Sequence, residues 1–170
     1  MDRNGAVTFQ GNPLTLTGNP VKAGDIAPDF TVLDNGLAPV TKAAFAGKIA
    51  VLIAVPSLDT PVCDLETRKF NTAAAKLSPD VKLACISMDL PFAQARWCGA
   101  AGVKSVQTLS DHRDASFGLN YGLLIKELRL LARAVIVLDR AGRIAYLELV
   151  TEVTREPDYE AALKAIAKLA

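Results

Sequence analysis

The run Pro56-Ser57-Leu58-Asp59-Thr60-Pro61-Val62-Cys63 places a thiol two residues after a Thr-Pro step. Asp59 or Thr60 suits a helix N-cap and Pro61 suits the first helical position, so Cys63 is expected in the first turn of a helix. A sulfur there meets unpaired backbone N–H groups at the positive end of the helix dipole. That setting favours the thiolate, which is the nucleophilic and redox-active form. A small apolar filler would fit the same position. Asp64 and Glu66 would also oppose ionisation if they faced the sulfur. Position alone leaves both readings open.

An arginine bears on the choice. Leu130 to Leu138 is apolar apart from Arg133. A guanidinium cannot shed its proton, so burial without a partner costs several kcal/mol, on the order of a stranded charge. Arg133 therefore either reaches solvent or a carboxylate from a strand end, or stands beside Cys63 as partner of its thiolate.

Two further cysteines differ in kind. Cys98 follows Trp97 and precedes Gly99-Ala100-Ala101, so no Cys-x-x-Cys dithiol exists there. It is either an ordinary half-buried helix residue or a partner for an oxidised Cys63. Cys85, in Val81 to Met88, suits the middle of a buried strand as a small hydrophobe. His112 reads as a loop residue. The cysteines and His112 contain no short chelating pair, so no metal and no cofactor are expected.

These residues need a scaffold. Ile49 to Val55 is a continuous apolar run, as in a central strand buried on both faces. A helix is predicted over 61–77, ended by Ser78-Pro79-Asp80. Then come a strand over 81–88, a helix over 91–101 stopped by Gly102, a short strand over 106–109 and a helix over 114–120. Strands over 134–138 and 144–149 flank the turn residues Asp139-Arg140-Ala141-Gly142, and a final helix spans 158–169. Phe30 to Leu33 is a further strand. Before it, Val7 to Gln10 and Leu14 to Thr17 flank Gly11-Asn12-Pro13 as a hairpin. The order predicts an α/β protein with a mixed central sheet flanked by helices. This is the thioredoxin-like arrangement with an added N-terminal β-hairpin, in a single domain over 1–170.

With 19 basic and 18 acidic residues and no basic stripe, nothing argues for nucleic acid or a membrane surface. The first ten residues carry no apolar run behind a basic segment, and Ile49 to Pro56 is too short to span a bilayer. Three cysteines without paired spacing do not resemble a secreted disulfide framework. A soluble, cytoplasmic protein is expected.

The Pro56-x-x-x-Thr60-x-x-Cys63 pattern resembles the active-site motif of peroxiredoxins. The longer run through Cys63, followed by Arg68-Lys69-Phe70-Asn71, is similar to their thiol peroxidase branch. So are Trp97-Cys98-Gly99, Thr108-Leu109-Ser110-Asp111 and Ala132-Arg133-Ala134-Val135. The resemblance implies that Cys63 is the peroxidatic cysteine, whose thiolate attacks the O–O bond and becomes a sulfenic acid. It implies that Thr60 orients thiolate and peroxide, that Pro56 shields the pocket, and that Arg133 stabilises charge on the peroxide oxygens. Cys98 would be the resolving cysteine of an intrachain disulfide, reduced by thioredoxin. The substrate would be a hydroperoxide, hydrogen peroxide or organic, and the assembly a homodimer. The segment Leu123 to Ala132 is shorter than the usual loop of that branch and lacks its Gly and Pro, which bears on the pocket wall. A redox sensor using the same cysteine pair, and a binding module with inert thiols, are the competing functions.

Overall fold

The computed structural model describes residues 1–170. Its centre is the strand β5 (Ile49–Ala54), in which all six residues are fully buried. Alternation explains why the run carries no polar residue. Ala50, Leu52 and Ala54 face one core with Phe30, Phe117 and Tyr121; Ile49, Val51 and Ile53 face another with Phe70, Ala162 and Ile166. Both faces are covered, so both sets of side chains are apolar.

Around β5 stand β3 (Thr31–Leu33), β4 (Pro39–Thr41), β6 (Val81–Ser87), β7 (Val106–Ser110), β10 (Ala134–Leu138) and β11 (Ile144–Leu149). They form a seven-stranded sheet in the order β11-β10-β5-β6-β7-β3-β4. β5, β6 and β7 are parallel, while the outer strands pair antiparallel. The helices are α1 (Pro61–Ala74), α2 (Pro91–Ala101), α3 (Ser116–Asn120) and α4 (Tyr159–Ala167). Gly102 ends α2 in the left-handed region with φ 66°, a conformation that favours glycine. The mixed sheet between helices is the expected α/β architecture.

Several boundaries differ from expectation. α1 stops at Ala74 rather than residue 77, and α3 begins at Ser116 rather than 114. The hairpin of β1 (Asp2–Phe9) and β2 (Asn12–Thr17) turns at Gln10-Gly11, with φ of 50° and 80°, so Asn12 and Pro13 belong to a strand. Two residues at positive φ match the tight turn that follows strand twist. The segment after Tyr121 is itself a hairpin of β8 (Leu124–Ile125) and β9 (Leu130–Leu131). It joins β1 and β2 in a second, four-stranded sheet. Val7, Leu16, Ile125 and Ala132 of that sheet region pack on Val153, tying the hairpin to the segment that follows β11. No helix is long and apolar enough to cross a membrane.

Candidate active site

Strand pairing brings the chemistry to one end of the central sheet. β5 leads into buried Pro56 and a loop to α1. Asp89 holds that loop: Ser57 Oγ donates to Oδ1 at 2.6 Å and Leu58 N to Oδ2 at 2.8 Å. Thr60 is the N-cap of α1, with extended φ −105° and ψ 145°, and Cys63 is the third helical residue. β10 runs antiparallel to β5 with Ala134 opposite Ala54. Arg133 therefore enters the sheet where β5 leaves it. It lies just before β10, and its carbonyl accepts from Val150 N at 2.9 Å, next to the Ala134–Leu149 pair of the β10–β11 ladder.

Arg133 is 1% exposed, and each of its three side-chain nitrogens donates at least one bond. Nη2 donates to Cys63 Sγ at 3.3 Å. Nε and Nη2 donate to the Val153 carbonyl at 3.1 and 2.9 Å. Nη1 pairs with Glu66 Oε2. Burial works against the guanidinium charge, but Glu66 and then Cys63 outweigh it and hold Arg133 above its ordinary value. Both arginine readings are met at once: the guanidinium, at the start of β10, pairs with the Glu66 carboxylate and also faces the Cys63 sulfur.

A cavity of about 240 Å³ opens beside this group, lined by Phe9, Gln10, Pro56, Thr60, Arg133 and Val153 among others. Thr60 Oγ1 donates to the Ser57 carbonyl at 2.8 Å and makes no bond to Cys63. Its lone pairs remain as acceptors beside the cavity. The β8–β9 hairpin does not line this space; the tip of β1–β2 does.

The Cys63 sulfur does not open to this cavity. Cys63 is 0% exposed and packs with Val55, Leu58 and Phe70. The sulfur lies behind the cavity walls rather than open to it, because the first turn of α1 presses its apolar side onto the sheet. A peroxide reaches Sγ only by displacing that cover. The benefit is a dry setting in which the guanidinium acts at short range with little screening.

Glu66 has a place that its sequence position does not announce: besides being a charge close to Cys63, it is the buried partner of Arg133. It is three positions after Cys63, so both share a helix face, and that spacing was the available signal. Its carboxyl is 0% exposed and Oε1 has no partner. Burial, only partly offset by Arg133, raises its pKa from 4.5 to about 7. The folded state therefore holds this proton more tightly than the unfolded chain does. The stability it brings is complete below about 4.5 and is lost as pH rises through about 7. Urea unfolding is expected to show wild type losing ground to Glu66→Gln between about pH 5 and about pH 8. A pH-independent difference between the two would contradict this.

Asp64, the other suspected acid, points away. Its Oδ1 accepts from Trp97 Nε1 at 2.8 Å and Oδ2 from Arg68 Nε at 2.9 Å. Arg68 also lies 5.8 Å from the centre of the Trp97 ring. This ties the residue after Cys63 to the residue before Cys98. Cys98 itself is half-buried near the end of α2, with Sγ 3.3 Å from Thr108 Oγ1. The Thr108 hydroxyl also donates to Asn35 Oδ1 at 3.1 Å. The two sulfurs have different partners, and all three cysteines are free thiols. Cys85 is buried in β6, and burial pushes its thiol well above the usual range. His112 Nδ1 bonds Ser110 Oγ at 3.0 Å, remote in contact from Cys63 and Arg133.

Comparison with known proteins follows the same lines. A family model described as Redoxin matches residues 22–163. The thiol peroxidase of Bacillus subtilis is 56% identical over 163 residues, covering 96% of this chain and 97% of that protein. The thiol peroxidase of Staphylococcus aureus strain MRSA252 is 57% identical over 159 residues, covering 94% of this chain and 96% of that one. Among solved structures, a peroxiredoxin-like protein from Aquifex aeolicus superposes with a TM-score of 0.91 at 41% identity, covering 96% of both chains.

Proposed function

The chain belongs to the redoxin family and, within it, to the thiol peroxidases; from that premise we propose that Cys63 reduces hydrogen peroxide and organic hydroperoxides, and that Cys98 and thioredoxin restore it. The observation that carries the reading is the bond from Arg133 Nη2 to Cys63 Sγ at a helix start. In the first step the Cys63 thiolate takes the terminal oxygen of the hydroperoxide. The O–O bond breaks, Cys63 becomes a sulfenic acid, and the alkoxide or hydroxide takes up a proton and leaves as alcohol or water. Arg133 stabilises negative charge on both the sulfur and the departing oxygen. The Thr60 oxygen accepts from the peroxide O–H and fixes its orientation, and Pro56 keeps water from the cavity.

In the second step Cys98 loses its proton, attacks the sulfenic sulfur and releases water, forming an intrachain disulfide. Thioredoxin then reduces this by thiol–disulfide exchange and leaves oxidised itself. A disulfide needs Cα atoms within about 7 Å, and sulfurs held by different partners must leave them to meet. The start of α1 and the end of α2 are thus proposed to open during each cycle. The homodimer implied by the resemblance and the cytoplasmic location expected from the sequence are part of the same proposal.

Peroxide-dependent NADPH consumption with thioredoxin and its reductase tests the cycle. Wild type is expected to turn over many times. Cys98→Ser is expected to consume one equivalent of peroxide and then stall. Undiminished turnover by Cys98→Ser would remove Cys98 from the resolving role and leave the peroxidatic step standing.

A further inference from the structure

Five donors converge on one carboxylate at the tip of the N-terminal hairpin. Glu152 Oε2 accepts from Thr8 Oγ1 at 2.7 Å and from Gly11 N at 3.1 Å. Oε1 accepts from Gln10 N at 3.0 Å, Thr154 Oγ1 at 2.7 Å and Thr154 N at 3.2 Å. The donors come from two places in the chain, the turn between β1 and β2 and the segment after β11. Two backbone bonds run alongside, Thr8 N to Thr151 O at 2.6 Å and Val153 N to Thr8 O at 2.9 Å. The Thr8 hydroxyl above all, then the Thr154 hydroxyl, hold the Glu152 carboxyl well below the usual range, so it is ionised at any working pH.

What this clasp holds in place is a wall. The hairpin turn has its N–H groups aimed at Glu152, and the two side chains just before Gly11 are Phe9 and Gln10, which line the cavity beside Arg133. Phe9 is 41% exposed, so the core does not hold it there. Val153 and Thr154, the neighbours of Glu152 itself, line the same cavity. The carboxylate, together with the two backbone bonds, thus ties two segments that line a space adjoining Arg133, and it alone grips the turn that carries Gln10 and Gly11.

Resting on the peroxidase reading above, we propose that Glu152 is a positioning residue for substrate choice, holding Phe9 against the alkyl or aryl group of an organic hydroperoxide. Hydrogen peroxide has no such group and cannot use the wall. Loss of the clasp therefore penalises the organic substrate more than hydrogen peroxide. A merely structural role for Glu152, acting through Val153 and Arg133, would slow both peroxides alike.

The test is the ratio of second-order rate constants for cumene hydroperoxide and hydrogen peroxide, measured on wild type, Glu152→Gln and Phe9→Ala. An amide in place of Glu152 sets an N–H where only donors converge, so it opens the clasp at similar size. Both variants are expected to lower the ratio about 10-fold, the scale of a lost apolar contact. An unchanged ratio in Glu152→Gln, with both rates falling together or neither moving, overturns the proposal. Should Glu152→Gln fail to fold, an unchanged ratio in Phe9→Ala overturns it instead. Wild type reacting with hydrogen peroxide, with the ratio unmoved in the variants, sinks this inference alone; wild type inert to both peroxides sinks the peroxidase reading with it.

Discussion

Cys63→Ser is expected to be inert toward peroxide while remaining folded. In the proposed mechanism the Cys63 thiolate donates the electron pair that breaks the O–O bond. A serine hydroxyl is neutral at working pH and a far weaker nucleophile toward peroxide oxygen. Removal of a nucleophile from a working set costs at least about 10⁴-fold in rate. The fold has no such dependence on sulfur. Arg133 Nη2 can still donate to a serine oxygen at position 63, and the Glu66 and Val153 contacts are untouched. Peroxide consumption measured beside a thermal melt separates the two. Catalysis should vanish with only a small shift in Tm. Full turnover by Cys63→Ser would overturn the assignment of the reacting group.

Arg133→Met comes next in size. Methionine fills much of the same space without charge or donors. It removes the bond to Cys63 Sγ and the charge that meets the departing oxygen. Loss of one preorganised donor of this kind lowers a rate by about 10²–10³-fold. The substitution also strands Glu66, which is fully buried. Breaking a buried pair on one side costs about 3–5 kcal/mol, and uptake of a proton by Glu66 limits that loss. Stability and rate can therefore be separated. The double variant Arg133→Met/Glu66→Gln should recover much of the urea midpoint but none of the peroxide rate. Recovery of the rate in the double variant would show that Arg133 acts only by neutralising Glu66.

The parts legible in the sequence were those set by long or paired signals. The continuous apolar run Ile49 to Val55, of strand length, fits a strand covered on both faces, and β6, α2 and β10 followed from similar patterns. The short strands β4, β8 and β9 have no period to read, whereas the equally short β3 sits inside the apolar run Phe30 to Leu33 that the sequence marks. Their existence depends on partners distant in the chain. Arg133 could be singled out because a lone guanidinium in an apolar run demands explanation. Its anchor at the Val153 carbonyl could not, because a backbone oxygen carries no sequence signal. The depth of Cys63 was also hidden: helix-start chemistry says what a sulfur prefers electrically, not which side of the helix the sheet will cover.

Trp97 gives the molecule an intrinsic optical gauge. It is the only tryptophan in the chain, and its indole N–H is bound to the carboxylate that follows Cys63. Anything that draws the start of α1 away from α2 must change the surroundings of that one chromophore. Its emission can therefore follow the proposed opening of the two helix ends in real time, with no label added and no second indole to blur the trace.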